Sequence, residues 1–204
     1  MTPKETRELF RRHGTDKATS HAYHIPYARL LEPYRKLSPC RLLEIGIKRG
    51  SSLRAWKEIF PRLQLAAIDI DPATANNAPD GCGVHIGDQG DMTFLDAVIA
   101  AEAPWDIVID DGSHRIDHQK DTFEKLWPHV RPGGLYVIED LQSSRADLYS
   151  TRDIRRNNPR DEQTTLDWLF DIARFSMGRR RHRRNLTTMT LTFFTEACFI
   201  TKNP

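Results

Sequence analysis

Trp105-Asp106-Ile107-Val108-Ile109-Asp110-Asp111-Gly112-Ser113-His114 is the stretch on which the fold turns. A short apolar run closed by turn residues reads as a buried strand. Leu135-Tyr136-Val137-Ile138 repeats the pattern and runs into Glu139-Asp140. Two buried strands that each end in acids read as neighbours in one parallel sheet. An open α/β sheet gathers its ligands at the carboxyl ends of such strands. Neighbouring strands lie about 4.8 Å apart, so these carboxylates can converge. Close carboxylates repel, so either some take up protons or a cation sits among them.

Working outward, strands are expected at Arg41–Ile45, Leu65–Ile70, Val84–Ile86, Asp106–Ile109 and Leu135–Ile138. Helices are expected over Pro3–Arg12, from Pro26 to about Lys36, and over Ser51–Phe60, Phe94–Ala103 and Gln119–Trp127. Strands alternating with helices predict a mostly parallel sheet covered on both faces. After Asp140 a long polar loop, Gln142–Glu162, is expected to act as a lid or binding segment. An amphipathic helix follows at Thr165–Phe175, with Leu166, Leu169, Phe170 and Ala173 on one face. The basic run Arg179–Arg184 could bind phosphate or nucleic acid, and an exposed loop before an edge strand is the favoured reading. Thr188–Phe194 and Cys198–Thr201 read as a hairpin at one sheet edge, giving seven strands.

The 204 residues suffice for one domain with a sizeable core. With 30 Lys plus Arg against 28 Asp plus Glu, the net charge of +2 gives no global case for nucleic-acid binding. No stretch approaches the roughly 18 apolar residues of a membrane span. No signal-peptide core is evident, and Cys40, Cys82 and Cys198 form no CxxC or disulfide framework. A reducing, cytoplasmic setting is the expectation.

Leu42-Leu43-Glu44-Ile45-Gly46-Ile47-Lys48-Arg49-Gly50 is a strand, a glycine loop and a helix start. Its G-x-x-x-G spacing fails the G-x-G-x-x-G dinucleotide test. The pattern with Glu44, Gly46 and Gly50 is similar to the first motif of class I S-adenosylmethionine (SAM) methyltransferases. Asp69, at the end of strand two, can accept ribose hydroxyls of a nucleoside cofactor. Asp88 and Gln89, after strand three, stand where this fold contacts adenine, and Asp110 joins them on the cofactor side. Asp111, Glu139 and Asp140 offer hard oxygen ligands suited to Mg²⁺. His114 and His118, four apart, could share a helix face and form an iron or zinc site with a carboxylate.

Gly14-Thr15-Asp16-Lys17 with His21 and Tyr23, the Glu44–Gly50 loop, Gly87-Asp88-Gln89, Asp110–His114 and Tyr136–Asp140 together resemble metal-dependent sugar O-methyltransferases of the macrolide deoxysugar type. The resemblance spans about Phe10 to Leu141. It implies a class I SAM-methyltransferase fold over residues 1–204, with 1–38 as a helical cap and 141–163 as an acceptor loop. It also implies SAM and Mg²⁺ as cofactors, with Asp111, Glu139 and Asp140 holding the ion and His114 as general base. The implied acceptor is a sugar hydroxyl of a glycosylated natural product or a surface saccharide, while charge and hydropathy point to no nucleic-acid or membrane partner. The macrolide enzymes carry a further N-terminal domain, expected to be absent here, so homo-oligomerisation is allowed but their assembly does not carry over. Competing expectations are a catechol or phenol O-methyltransferase, the two-histidine iron or zinc enzyme, and a SAM-binding protein without turnover.

Overall fold

A computed structural model describes residues 1–145, 156–158, 163–177 and 189–204. The Arg179–Arg184 run and most of the Gln142–Glu162 loop lie outside them. Seven strands form one sheet: β1 (Cys40–Ile45), β2 (Leu63–Asp69), β3 (Cys82–Ile86), β4 (Trp105–Asp110), β5 (Val130–Ile138), β6 (Met189–Phe194) and β7 (Ala197–Lys202). Their order is β3-β2-β1-β4-β5-β7-β6. Pairing is parallel from β3 to β5, while β7 runs antiparallel to both its neighbours. The expected hairpin is present, turning at Thr195 and Glu196.

Among the described residues, the helices flanking the sheet include α1 (Pro3–His13), α2 (His24–Leu30), α3 (Ser51–Ile59), α4 (Met92–Glu102), α5 (Ile116–Leu126) and α6 (Thr165–Met177). Side chains alternate across a strand, so each central strand feeds two cores. On one face, Leu42, Ile107, Ile109 and Val137 pack with Phe10, Tyr27 and Trp56. On the other, Leu43, Val108, Tyr136 and Ile138 pack with Leu95, Phe123 and Leu169. Burial on both faces is why these strands read as unbroken apolar runs.

Register levels the carboxyl ends of the middle strands: Asp110 stands opposite Ile45 on one side and Ile138 on the other. The ladder runs one step further, with Asp111 N–H donating to the Ile45 carbonyl and Glu139 N–H to that of Asp110, both at 3.0 Å. Strand order reverses around β1, the place where such sheets open a crevice.

Four expectations need correction. The helix expected through Lys36 ends at Leu30 and resumes as a 3₁₀ turn over Glu32–Lys36. Pro33 has no N–H to continue the α-helical ladder. β5 begins at Val130, not Leu135, because a register shift between Trp105 and Ile107 lets pairing cross the Pro132-Gly133-Gly134 segment. α5 starts at Ile116, so His114 precedes the helix and does not share a face with His118. On α6 the buried residues include Thr165, Leu169 and Ile172; Phe170 stays 45% exposed, its ring 5.2 Å from that of Phe193. Among the described residues no helix is long and apolar enough to cross a membrane.

Candidate active site

The glycine loop closes the end of β1 tightly. Gly46 has φ +100°, and a Cβ there would lie 2.2 Å from the Asp111 carbonyl oxygen. Only glycine lets the β1 loop and the β4 loop approach this closely. Asp69 braces the same loop: Oδ2 accepts from the N–H groups of Ile47 (2.8 Å) and Lys48 (3.1 Å). Beside it opens a cavity of about 710 Å³, lined by Gly46, Asp69, Asp88 and Gln89. Asp111, His114, Glu139 and Asp140 line the same cavity. Four of the seven expected cofactor residues therefore share one space with the expected metal residues.

Three expected cofactor residues stand outside the lining. Glu44 is fully buried, its Oε2 accepting from Ser52 Oγ and Trp56 Nε1, each at 2.9 Å. Asp110 is buried under Gln89, whose Nε2 donates to it at 3.1 Å. Gly50, at φ +66°, opens α3, and a Cβ there would meet the Asn77 carbonyl oxygen at 2.0 Å. Burial pushes the Glu44 and Asp110 carboxyls each up to about 7. The two acids and the glycine shape the site from behind. Gln89 bridges both levels, since its Oε1 also accepts the Ser113 N–H at 2.8 Å and so fixes the loop that carries His114.

The close carboxylates called for a cation, and the chain supplies one that local sequence did not reveal. Lys17, 1% exposed, donates from Nζ to Asp111 Oδ2 and Glu139 Oε2, both at 2.6 Å, and lies 3.7 Å from Glu44 Oε1. Burial alone would lower this ammonium's pKa, but Asp111, Glu139 and Glu44 outweigh it and hold it well above the usual lysine value. Tyr27 donates its hydroxyl to the other Glu139 oxygen. Glu139 is thus engaged on both oxygens, and burial raises its carboxyl despite Lys17. Lys17 and Tyr27 belong to the N-terminal segment, 122 and 112 residues before Glu139. The Gly14–Lys17 turn, with His21 and Tyr23, pointed to a role for this segment through the family resemblance.

Asp111, His114 and Asp140 each bring one ligand atom within 4.8 Å of the others, with Asp111 and Asp140 presenting oxygens. Among the described residues no other such cluster forms. Two carboxylates facing a cavity fit a small, hard, oxygen-preferring ion. Glu139 stands beside this group, held by Lys17 and Tyr27. His114 takes a left-handed backbone (φ +55°) that turns its Nε2 to 3.4 Å from Asp140 Oδ2. His118 faces elsewhere: its Nδ1 is 3.0 Å from Ser113 Oγ and 3.7 Å from Asp88. Among the described residues, His118 is not part of the group of Asp111, His114 and Asp140, so His114 and His118 form no shared metal site.

This sheet order and crevice are those of the class I SAM-methyltransferase fold. Residues 43–141 match the methyltransferase-domain family. The chain is 42% identical over 144 residues to mycinamicin VI 2''-O-methyltransferase of Micromonospora griseorubida, an overlap of 66% of this chain and 35% of the relative. It is 39% identical over 142 residues to the 8-demethyl-8-α-L-rhamnosyl tetracenomycin-C 2'-O-methyltransferase of Streptomyces olivaceus, covering 65% and 36% respectively. The MycE methyltransferase of mycinamycin biosynthesis, solved with Mg, SAH and mycinamycin VI, superposes with a TM-score of 0.83 at 31% identity. That alignment covers 97% of this chain and 53% of MycE. The chain thus spans about a third of the length of these curated relatives and about half of the solved one. The resemblance to sugar O-methyltransferases holds in sequence and in fold.

Proposed function

We propose that the chain is the catalytic domain of a SAM-dependent, Mg²⁺-dependent O-methyltransferase that methylates a sugar hydroxyl of a glycosylated natural product. One observation carries this reading: a single cavity joins the glycine loop and Asp69 to Asp111, His114 and Asp140. The similarity to enzymes named for rhamnosyl and macrolide O-methylation supports the acceptor class.

When bound, SAM supplies an electrophilic methyl group and the divalent ion makes a nearby hydroxyl more acidic. Asp69, with Asp88 and Gln89, lies where the nucleoside half of the cofactor would bind. Asp111 and Asp140 would hold the ion, with Glu139 kept alongside by Lys17. His114 takes the acceptor proton at Nε2, where Asp140 Oδ2 at 3.4 Å stabilises the imidazolium. Holding the acceptor oxygen in line with the methyl group would supply much of the acceleration. Residues 1–38 cap the site through Lys17, His21, Tyr23 and Tyr27, and 141–163 would select the acceptor. The near-neutral charge and three free cysteines support a small-molecule acceptor and a cytoplasmic setting.

The test is methyl transfer from SAM to glycosides, followed by mass spectrometry of the products. Excess chelator should abolish turnover and Mg²⁺ restore it. Undiminished turnover in chelator, or restoration by Fe²⁺ alone, overturns the mechanism.

A further inference from the structure

Asp140 is flanked by two imidazoles, and the mechanism uses one of them. His114 approaches Oδ2; His21, from the N-terminal segment, approaches Oδ1 at 3.9 Å. His21 lines the same cavity as Asp140, Asp69 and Asp88. Its Nδ1 is bonded to Glu196 Oε2 at 2.6 Å, and its ring stacks on Tyr23 with centroids 5.0 Å apart. Tyr23 in turn donates to Asp140 Oδ1 at 3.1 Å. Glu196 sits in the β6–β7 turn, and its carbonyl accepts the Leu141 N–H at 2.7 Å, fixing that turn to the end of β5. The ring is therefore held on one nitrogen and one face. Among the described residues, Nε2 has no hydrogen-bond partner. An imidazole fixed by a carboxylate at one nitrogen presents the other in a set direction. A hydroxyl both donates and accepts, so it pairs with that nitrogen whichever way the proton lies.

We propose that His21, oriented by Glu196, hydrogen-bonds through Nε2 to a hydroxyl of the saccharide acceptor other than the one that is methylated. His21 is thereby a specificity-determining residue. The proposal rests on the saccharide reading above. It assigns the acceptor half of the cavity to the β5–β7 side, where residues from the N-terminal segment and the C-terminal hairpin meet.

The test uses the full chain loaded with SAH and Mg²⁺. The probes are methyl α-L-rhamnopyranoside and its monodeoxy analogues, titrated by saturation-transfer NMR, with the His21 imidazole nitrogens followed in a ¹⁵N-labelled sample. Wild type should bind the parent glycoside, lose roughly five- to tenfold in affinity for one deoxy analogue, and show a shifted Nε2 signal. His21→Ala should bind the parent as weakly as wild type binds that analogue, with no further loss on removing the same hydroxyl. Glu196→Gln should show a smaller loss of the same kind, and both variants should keep wild-type SAH affinity. Equal glycoside affinity in wild type and His21→Ala, or an unmoved Nε2 signal at saturation, overturns the proposal alone. Absence of glycoside binding to wild type that still holds SAH and Mg²⁺ overturns the saccharide reading and the proposal with it.

Discussion

Replacing Lys17 by methionine removes the positive charge that the fold places among its buried acids. The ammonium is 1% exposed and touches Asp111 and Glu139 at 2.6 Å, with Glu44 at 3.7 Å. Methionine nearly matches the lysine stem in length, so packing is largely kept and the loss is electrostatic. Removing one partner of a buried ion pair costs about 3–5 kcal/mol, because the other charge stays buried without compensation. For a domain of this size each kcal/mol moves Tm by about 2–4 °C. The metal-free variant should therefore melt roughly 6–20 °C below wild type. Mg²⁺ can return positive charge to the same cluster, so added Mg²⁺ should raise the variant's Tm more than wild type's. Differential scanning calorimetry in chelator and in Mg²⁺ measures both. A drop under about 3 °C in chelator, or equal Mg²⁺ responses, would refute the role of Lys17 as the resident cation.

Three further outcomes follow from the geometry. His114→Ala should lower kcat by about 10²–10⁴-fold while SAM and Mg²⁺ still bind, and His118→Ala should do much less; loss of metal in His114→Ala would make this residue a ligand instead. Gly46→Ala puts a methyl 2.2 Å from the Asp111 carbonyl oxygen at φ +100°, so it should cost at least about 1–3 kcal/mol and weaken SAM and Mg²⁺ together, whereas an unchanged melting curve would disprove the close approach. Glu44 keeps its proton up to about pH 7 when folded, against an ordinary value of 4.5. The unfolded chain releases that proton first, so the stability from this group is full below 4.5 and declines as pH rises toward 7. Glu44→Gln removes the slope, and its Tm relative to wild type should climb across that window; a flat difference would show that Glu44 ionises normally.

The chain by itself determined the layered sheet, the strand ends that carry the acids, and the terminal hairpin. Runs such as Ile107–Ile109 and Val137–Ile138 are buried on both faces, and unbroken apolar runs with helices between leave few alternatives. It also marked Gly46, Asp69, Asp111, His114 and Asp140, because strand ends in such a sheet share one edge. Helix ends and faces were less legible. Pro33 breaks α2 in a way its own sequence signals, but the exposure of Phe170 depends on where α6 docks. Only the tertiary structure decided which acids face the cavity and which lie behind it. Glu44 and Asp69 end adjacent strands, yet one is sealed under Trp56 and the other opens to the ligand space. It alone brought Lys17, His21 and Tyr27 onto acids and a hairpin more than 90 residues away. Local periodicity cannot encode such contacts. They form because α1 and α2 bury Phe10 and Tyr27 on the sheet, which carries the polar side chains between them over the ends of β4 and β5.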